Sequence, residues 1–172
     1  MDNPVLLFSV IAVVIVAAML LPRWIRRWSR AAGERSEQRS GASRRTRILA
    51  DLGTTVVIRA SESAAREVVD EVVRRHPRQF TALADGSYGI RFVEADDGVA
   101  RLVADPGGTR LQAERVREYL GMPKTSDFWN DFRAHVASEA AGRGISVADG
   151  PRLLYVRGEP EKDGAATWRA QA

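Results

Sequence analysis

The sequence has no cysteine, only two histidines and only two lysines among its 172 residues. Without thiols there is no disulfide, no thiolate nucleophile, no iron–sulfur cluster and no Cys-ligated zinc, and two imidazoles are too few for a His-built zinc site. Neither a metal nor a cofactor is therefore expected. No Ser, His and Asp stand at a spacing that pairs a nucleophile with a base, so no catalytic residue is assigned and the chain is read as a binding protein rather than an enzyme. The scarcity of Lys beside 24 Arg points to a high-GC, bacterial genome.

Charge is also missing locally. The 20 residues from Asn3 to Pro22 carry none, and Val5 to Leu21 are apolar except for Ser9. As a helix rising about 1.5 Å per residue, such a run spans about 30 Å, one hydrocarbon core. A cleaved signal peptide would want a basic start and a small-x-small cleavage site, whereas this chain begins Met-Asp-Asn and stays apolar up to its first arginine. Residues 1–22 are thus expected to be an uncleaved transmembrane anchor.

The next stretch accounts for the positive charge. Residues 23–47 hold nine Arg against Glu34 and Glu37, a net of +7. Removing that segment and Asp2 from the totals leaves 17 basic and 19 acidic groups in residues 48–172, a net of −2. A folded part that is not basic argues against a nucleic-acid partner, and an arginine cluster just after an apolar run argues for a membrane with anionic headgroups. The same asymmetry orients the anchor, with the N-terminus outside and the rest cytoplasmic at the inner membrane. Arg23, Arg26, Arg27 and Arg30 are expected to reach lipid phosphates, and Trp24 and Trp28 to sit at headgroup level.

Ala31 to Arg45 holds no apolar residue larger than Ala, so no core-forming face can be drawn on it, and it reads as a flexible tether with a reach of about 20 Å. With residues 23–30 and 46–47 it makes a basic juxtamembrane segment and linker, 23–47. A small α+β domain is expected over 48–157 and a disordered tail over 158–172.

Within that domain, Thr54 to Ala60 is a β-branched run, followed by a helix with an Ala65, Val68, Val69, Val72, Val73 stripe, capped by Ser61 or Ser63 and stopping near His76 before Pro77. Tyr88, Ile90 and Phe92 alternate, Asp96-Asp97-Gly98 turns the chain, and Val99 to Ala104 completes a hairpin. Residues 110–120 are read first as a short helix, from the capping-box form Thr109-x-x-Gln112 and the Ala113, Val116, Leu120 spacing, with a strand as the alternative. A longer helix follows with Trp129, Phe132, Val136 and Ala140 on one stripe, then a strand Leu153 to Val156, apolar on both faces and so expected inside the sheet.

This order favours an antiparallel sheet with helices on one face, a ferredoxin-like split βαβ being the simplest form. Were residues 110–120 a strand, the order would move toward a helix-grip ligand-binding or sensor domain. Candidate partner contacts are the basic cluster Arg74, Arg75 and Arg78 and the neighbouring aromatics Phe128 and Trp129. The functional expectation is an adaptor or accessory subunit that meets another membrane or membrane-associated protein.

Overall fold

The structure, a computed structural model, describes residues 41–160 and 165–171. The expected anchor and the contacts at Arg23, Trp24, Arg26, Arg27, Trp28 and Arg30 lie outside the described residues. Among the described residues no helix is long and apolar enough to cross a membrane. The chain divides into two units between Arg44 and Arg45, and the second carries the sheet.

Residues 41–52 are helical, and the part from 45 onward is α1 of this unit. The end of the expected tether is therefore helix. Leu52 is fully buried, with Ile48 and Leu49 packed beside it, and Arg and Ala upstream are good helix formers that let the helix extend backwards.

The remaining elements are β1 (Val56–Ile58), α2 (Glu62–Arg75), β2 (Phe80–Ala82), β3 (Tyr88–Ile90), β4 (Gly98–Asp105), β5 (Gly108–Tyr119), β6 (Met122–Pro123), α3 (Ser126–Gly142), β7 (Val147–Asp149), β8 (Leu154–Pro160) and β9 (Ala166–Gln171). The fold is α+β with an antiparallel sheet in the order β2-β3-β4-β5-β1-β7, and the β8–β9 hairpin joins through β9 to β5. All three helices contribute to one core cluster with the sheet.

Both long helices follow the sequence pattern. In α2, Ser61 accepts the Ala64 N–H as N-cap, Ala65, Val68, Val69 and Val72 are buried, and His76 is the C-cap. In α3, Trp129, Phe132, Val136 and Ala140 are fully buried, and the Trp129 indole N–H donates to the Thr54 carbonyl at 3.1 Å, tying the helix to the start of β1.

Residues 110–120 are strand, not helix. Thr109 does not cap anything: its hydroxyl donates to the Ala60 carbonyl, and Thr109, Leu111 and Ala113 are buried in strict alternation. The register against β4 runs Ala100↔Ala113 and then Val99↔Arg115, so Glu114 is an extra, unpaired residue. Such a β-bulge changes which face later side chains take. Val116 and Glu118, rather than Arg115 and Arg117, become the buried residues beyond it. The three-residue step from Ala113 to Val116 that imitates a helix is the mark of this bulge.

The expected disordered tail and interior last strand are also corrected. Residues 166–171 form β9, in which Ala166 and Trp168 are buried. Glu118 anchors them: it is buried, accepts from the Trp168 indole N–H at 3.0 Å and from Arg157 Nε at 3.0 Å, and makes a second, shorter contact with Arg157 Nη2. Among the described residues strand β8 pairs only with β9. Of its apolar residues Tyr155 alone turns inward, donating to the Ala113 carbonyl at 2.7 Å, while Leu154 and Val156 are exposed.

Candidate functional site

The most distinctive surface is built around a buried carboxylate that the sequence presents as a mere turn residue. Asp97, at the end of the loop from β3 to β4, is 1% exposed. Its Oδ2 accepts the Val93 and Glu94 N–H groups at 2.6 and 2.8 Å, its Oδ1 accepts the Tyr119 hydroxyl at 2.5 Å, and its carbonyl accepts the Arg117 N–H at 2.7 Å. Burying a carboxylate is costly unless its oxygens are hydrogen-bonded. Here they are, and the result is a loop pinned to the end of β5. Burial, the hydrogen bond to Asp97 and that residue's charge together push the Tyr119 phenol up to about 12. Gly89 makes the close approach possible, because a Cβ there would run into the Ala95 carbonyl.

What this scaffold displays is hydrocarbon. Phe92 and Val93 are 42% and 56% exposed. The Phe92 ring packs at 5.4 Å from Tyr119 and 6.3 Å from Phe128, which is itself half-buried against the core. Directly after Tyr119 in the chain, the two-residue turn between β5 and β6 places Leu120 and Gly121 at φ of 52° and 74°. A turn of this hand suits Asn-Gly, and a leucine there costs about 1–2 kcal/mol in backbone strain. Leu120 is nevertheless fully exposed at the tip. Strained backbone of this kind, held by its surroundings, is a pointer to function.

Of the candidate contacts expected from sequence, the structure brings only Phe128 into this surface. Trp129 is fully buried, one helical step round α3, and belongs to the core. Arg74 pairs with Glu71, and Arg75 bridges Glu71 at 2.6 Å and Glu139 at 2.7 Å, joining α2 to α3. Arg78 is exposed with no ion pair among the described residues. Next to this cluster, His76 and His135 stack with ring centroids 4.0 Å apart and planes inclined by 25°, a proximity that their 59-residue separation conceals. Asp105-Pro106-Gly107-Gly108 is the β4–β5 hairpin turn. Among the described residues no three His, Asp or Glu converge as metal ligands.

Searched against known families, characterised proteins and solved structures, the chain matches none of them.

Proposed function

We propose that this protein is a single-pass, membrane-anchored binding protein, N-terminus outside, that presents its α+β domain to the cytoplasm as an adaptor or accessory subunit. The observation that carries the reading is the run of 20 uncharged residues followed at once by nine arginines in 25. The partner is another membrane or membrane-associated protein, for which tethering supplies effective concentration. The pinned apolar surface at Phe92, Val93 and Leu120 supports binding over turnover. A rigid hydrophobic contact loses little entropy on docking, and the one buried carboxylate nearby is fully engaged in holding its own loop.

The strand order also bears on the fold. Taken alone, β1, α2, β4, β5, α3 and β7 follow one another as βαββαβ with the sheet order β4-β5-β1-β7. That order supports a ferredoxin-like split βαβ core, extended by β2–β3 on one side and β8–β9 on the other. A helix-grip binding domain would hold its ligand beneath the long helix, and there Trp129, Phe132, Val136 and Ala140 fill the space.

Two measurements on the full-length chain test the proposal. A cysteine introduced at Ser40 should react with a membrane-impermeant reagent only after cells are opened, and labelling of intact cells would reverse the orientation. A photo-crosslinking side chain at Leu120 should capture a stoichiometric membrane-associated protein that the same group at exposed Arg59 does not. Equal capture from both positions would remove the apolar surface from the proposal.

A further inference from the structure

Among the described residues the sheet ends at β7, whose only strand neighbour is β1. Gly150 N–H donates to the Thr55 carbonyl and Arg59 N–H to the Ser146 carbonyl. Antiparallel pairing alternates, so Ser146, Ala148 and Gly150 direct their backbone groups toward β1, and Val147 and Asp149 direct theirs outward. These outward N–H and C=O groups form an open edge, able to accept one more strand.

The edge borders an open cleft of about 400 Å³ between β7 and α3. Val56 and Val147 give it an apolar floor, and Ala134 and Ala137 are small enough to leave it unfilled. Arg133 enters from the helix. Its Nη2 donates to Asn130 Oδ1 at 2.8 Å, and its guanidinium lies 5.9 Å from the centre of the Trp129 ring. Among the described residues the buried Nε has no hydrogen-bond partner and Arg133 makes no ion pair, unlike Arg66, Arg75, Arg101, Arg110 and Arg157. Burial holds this guanidinium below its usual basicity, against the opposing charges of Asp149 and Asp51. A half-buried guanidinium with donors to spare is complementary to a carboxylate, which takes two parallel N–H bonds from such a fork.

We infer that the cleft receives an extended peptide segment, which adds to the outer edge of β7 and sets the carboxylate of one Asp or Glu on Arg133. The alternation of a strand puts the residues two before and two after that acid on the same face, toward the apolar lining of the cleft. Asp149, opposite Val56 in the register and therefore on the same face, repels a second acid. The preferred segment thus carries a single carboxylate among uncharged, apolar neighbours. This inference stands on the domain alone and holds whether or not the chain is anchored.

The test uses the full-length chain in detergent micelles and the labelled, end-blocked peptide Thr-Ala-Thr-Glu-Thr-Ala-Thr, with a second peptide carrying Gln in place of Glu. Fluorescence anisotropy should show the Glu peptide binding about tenfold tighter than the Gln peptide, a preference that Arg133→Gln abolishes. Arg101→Gln, a change in an arginine paired with Glu114 and Asp85, should leave the preference intact. Amide exchange at Val147 and Asp149 should slow on binding. Ala137→Phe, which fills the cleft without touching the charge, should weaken both peptides. Equal affinity for the two peptides, no binding of either, unchanged preference in Arg133→Gln, or protection elsewhere than β7 would each overturn the inference. So would glutarate competing as well as the peptide does, since a small acid has no strand to add.

Discussion

Between Thr109 and Ala113, β5 sets Leu111 against Val56 and Leu102, and Ala113 against Ala100, so that this part of the strand is held by apolar contact with both neighbours. From Val116 to Glu118 the same strand faces β9 and β8, and what closes it is one carboxylate shared by an arginine and an indole. A single inserted residue, Glu114, separates the two regimes. The apolar half gains stability in proportion to area removed from water, whereas the polar corner depends on geometry, because a buried hydrogen-bonded charge contributes only while every partner is present.

That contrast can be broken outright by deleting Glu114. Without the extra residue Val116 and Glu118 turn to the other face, and the β8–β9 hairpin loses its anchor and its apolar contact together. A loss of the order of 5 kcal/mol or failure to fold is expected in denaturant unfolding, and a stability near that of the parent would mean the bulge does not set the register.

Trp129→Ala probes the apolar regime. It should cost about 3–5 kcal/mol and lower exchange protection across the whole sheet, because α3 packs on the shared core. Glu118→Gln probes the other regime: a cost of about 1–3 kcal/mol, read as faster amide exchange in β8 and β9 ahead of β4 and the first half of β5. Uniform loss of protection in Glu118→Gln would erase the distinction between the two halves.

Acid should make the same separation without mutation. Hydrogen bonds from Arg157 outweigh burial and, with the Trp168 N–H and the charges of Arg157 and Arg45, hold the Glu118 carboxyl below the usual carboxylate range. Because the folded value is depressed, the stabilisation is fully present above the unfolded value, about 4.3, and is lost as pH falls through the lower folded one. Trp168 fluorescence should therefore report opening of the corner below about pH 4.3, before far-ultraviolet circular dichroism reports loss of the helices. The smallest effect is a gain: Leu120→Gly relieves the left-handed turn and should stabilise the domain by about 1 kcal/mol, while weakening capture through the apolar surface.

The same division explains what was legible in the sequence. Helices α2 and α3 declare themselves through apolar stripes and stop signals, and their buried residues are those the pattern names. Strand β9 does not, since Ala-Thr-Trp-Arg-Ala-Gln offers one large apolar residue and its partner, Glu118, is charged and 50 residues away. For β8 the sequence signal misleads, because Leu154 and Val156 look like core and only Tyr155 is. The candidate site was hidden for a related reason. Asp97 before Gly98 is ordinary turn chemistry, and nothing local shows that its carboxylate turns inward to hold Tyr119. Arg133 carries no mark at all in a helix whose other charged residues, Asp127, Asp131 and Glu139, are exposed or ion-paired.

One consequence of the strand order concerns time rather than energy. Strand β1 comes first in the sheet's sequence but lies between β5 and β7, its pairs being Val56 with Leu111 and Val56 with Asp149. The hairpins β2–β3, β3–β4 and β4–β5 close over short stretches of chain, whereas β1 must wait for partners 55 and 93 residues further along it. Closing such long loops before any contact repays the lost entropy slows folding. Refolding should therefore proceed with the β2-to-β5 meander protected early and β1 and β7 protected together and late, leaving the edge that borders Arg133 as the last part of the sheet to exist.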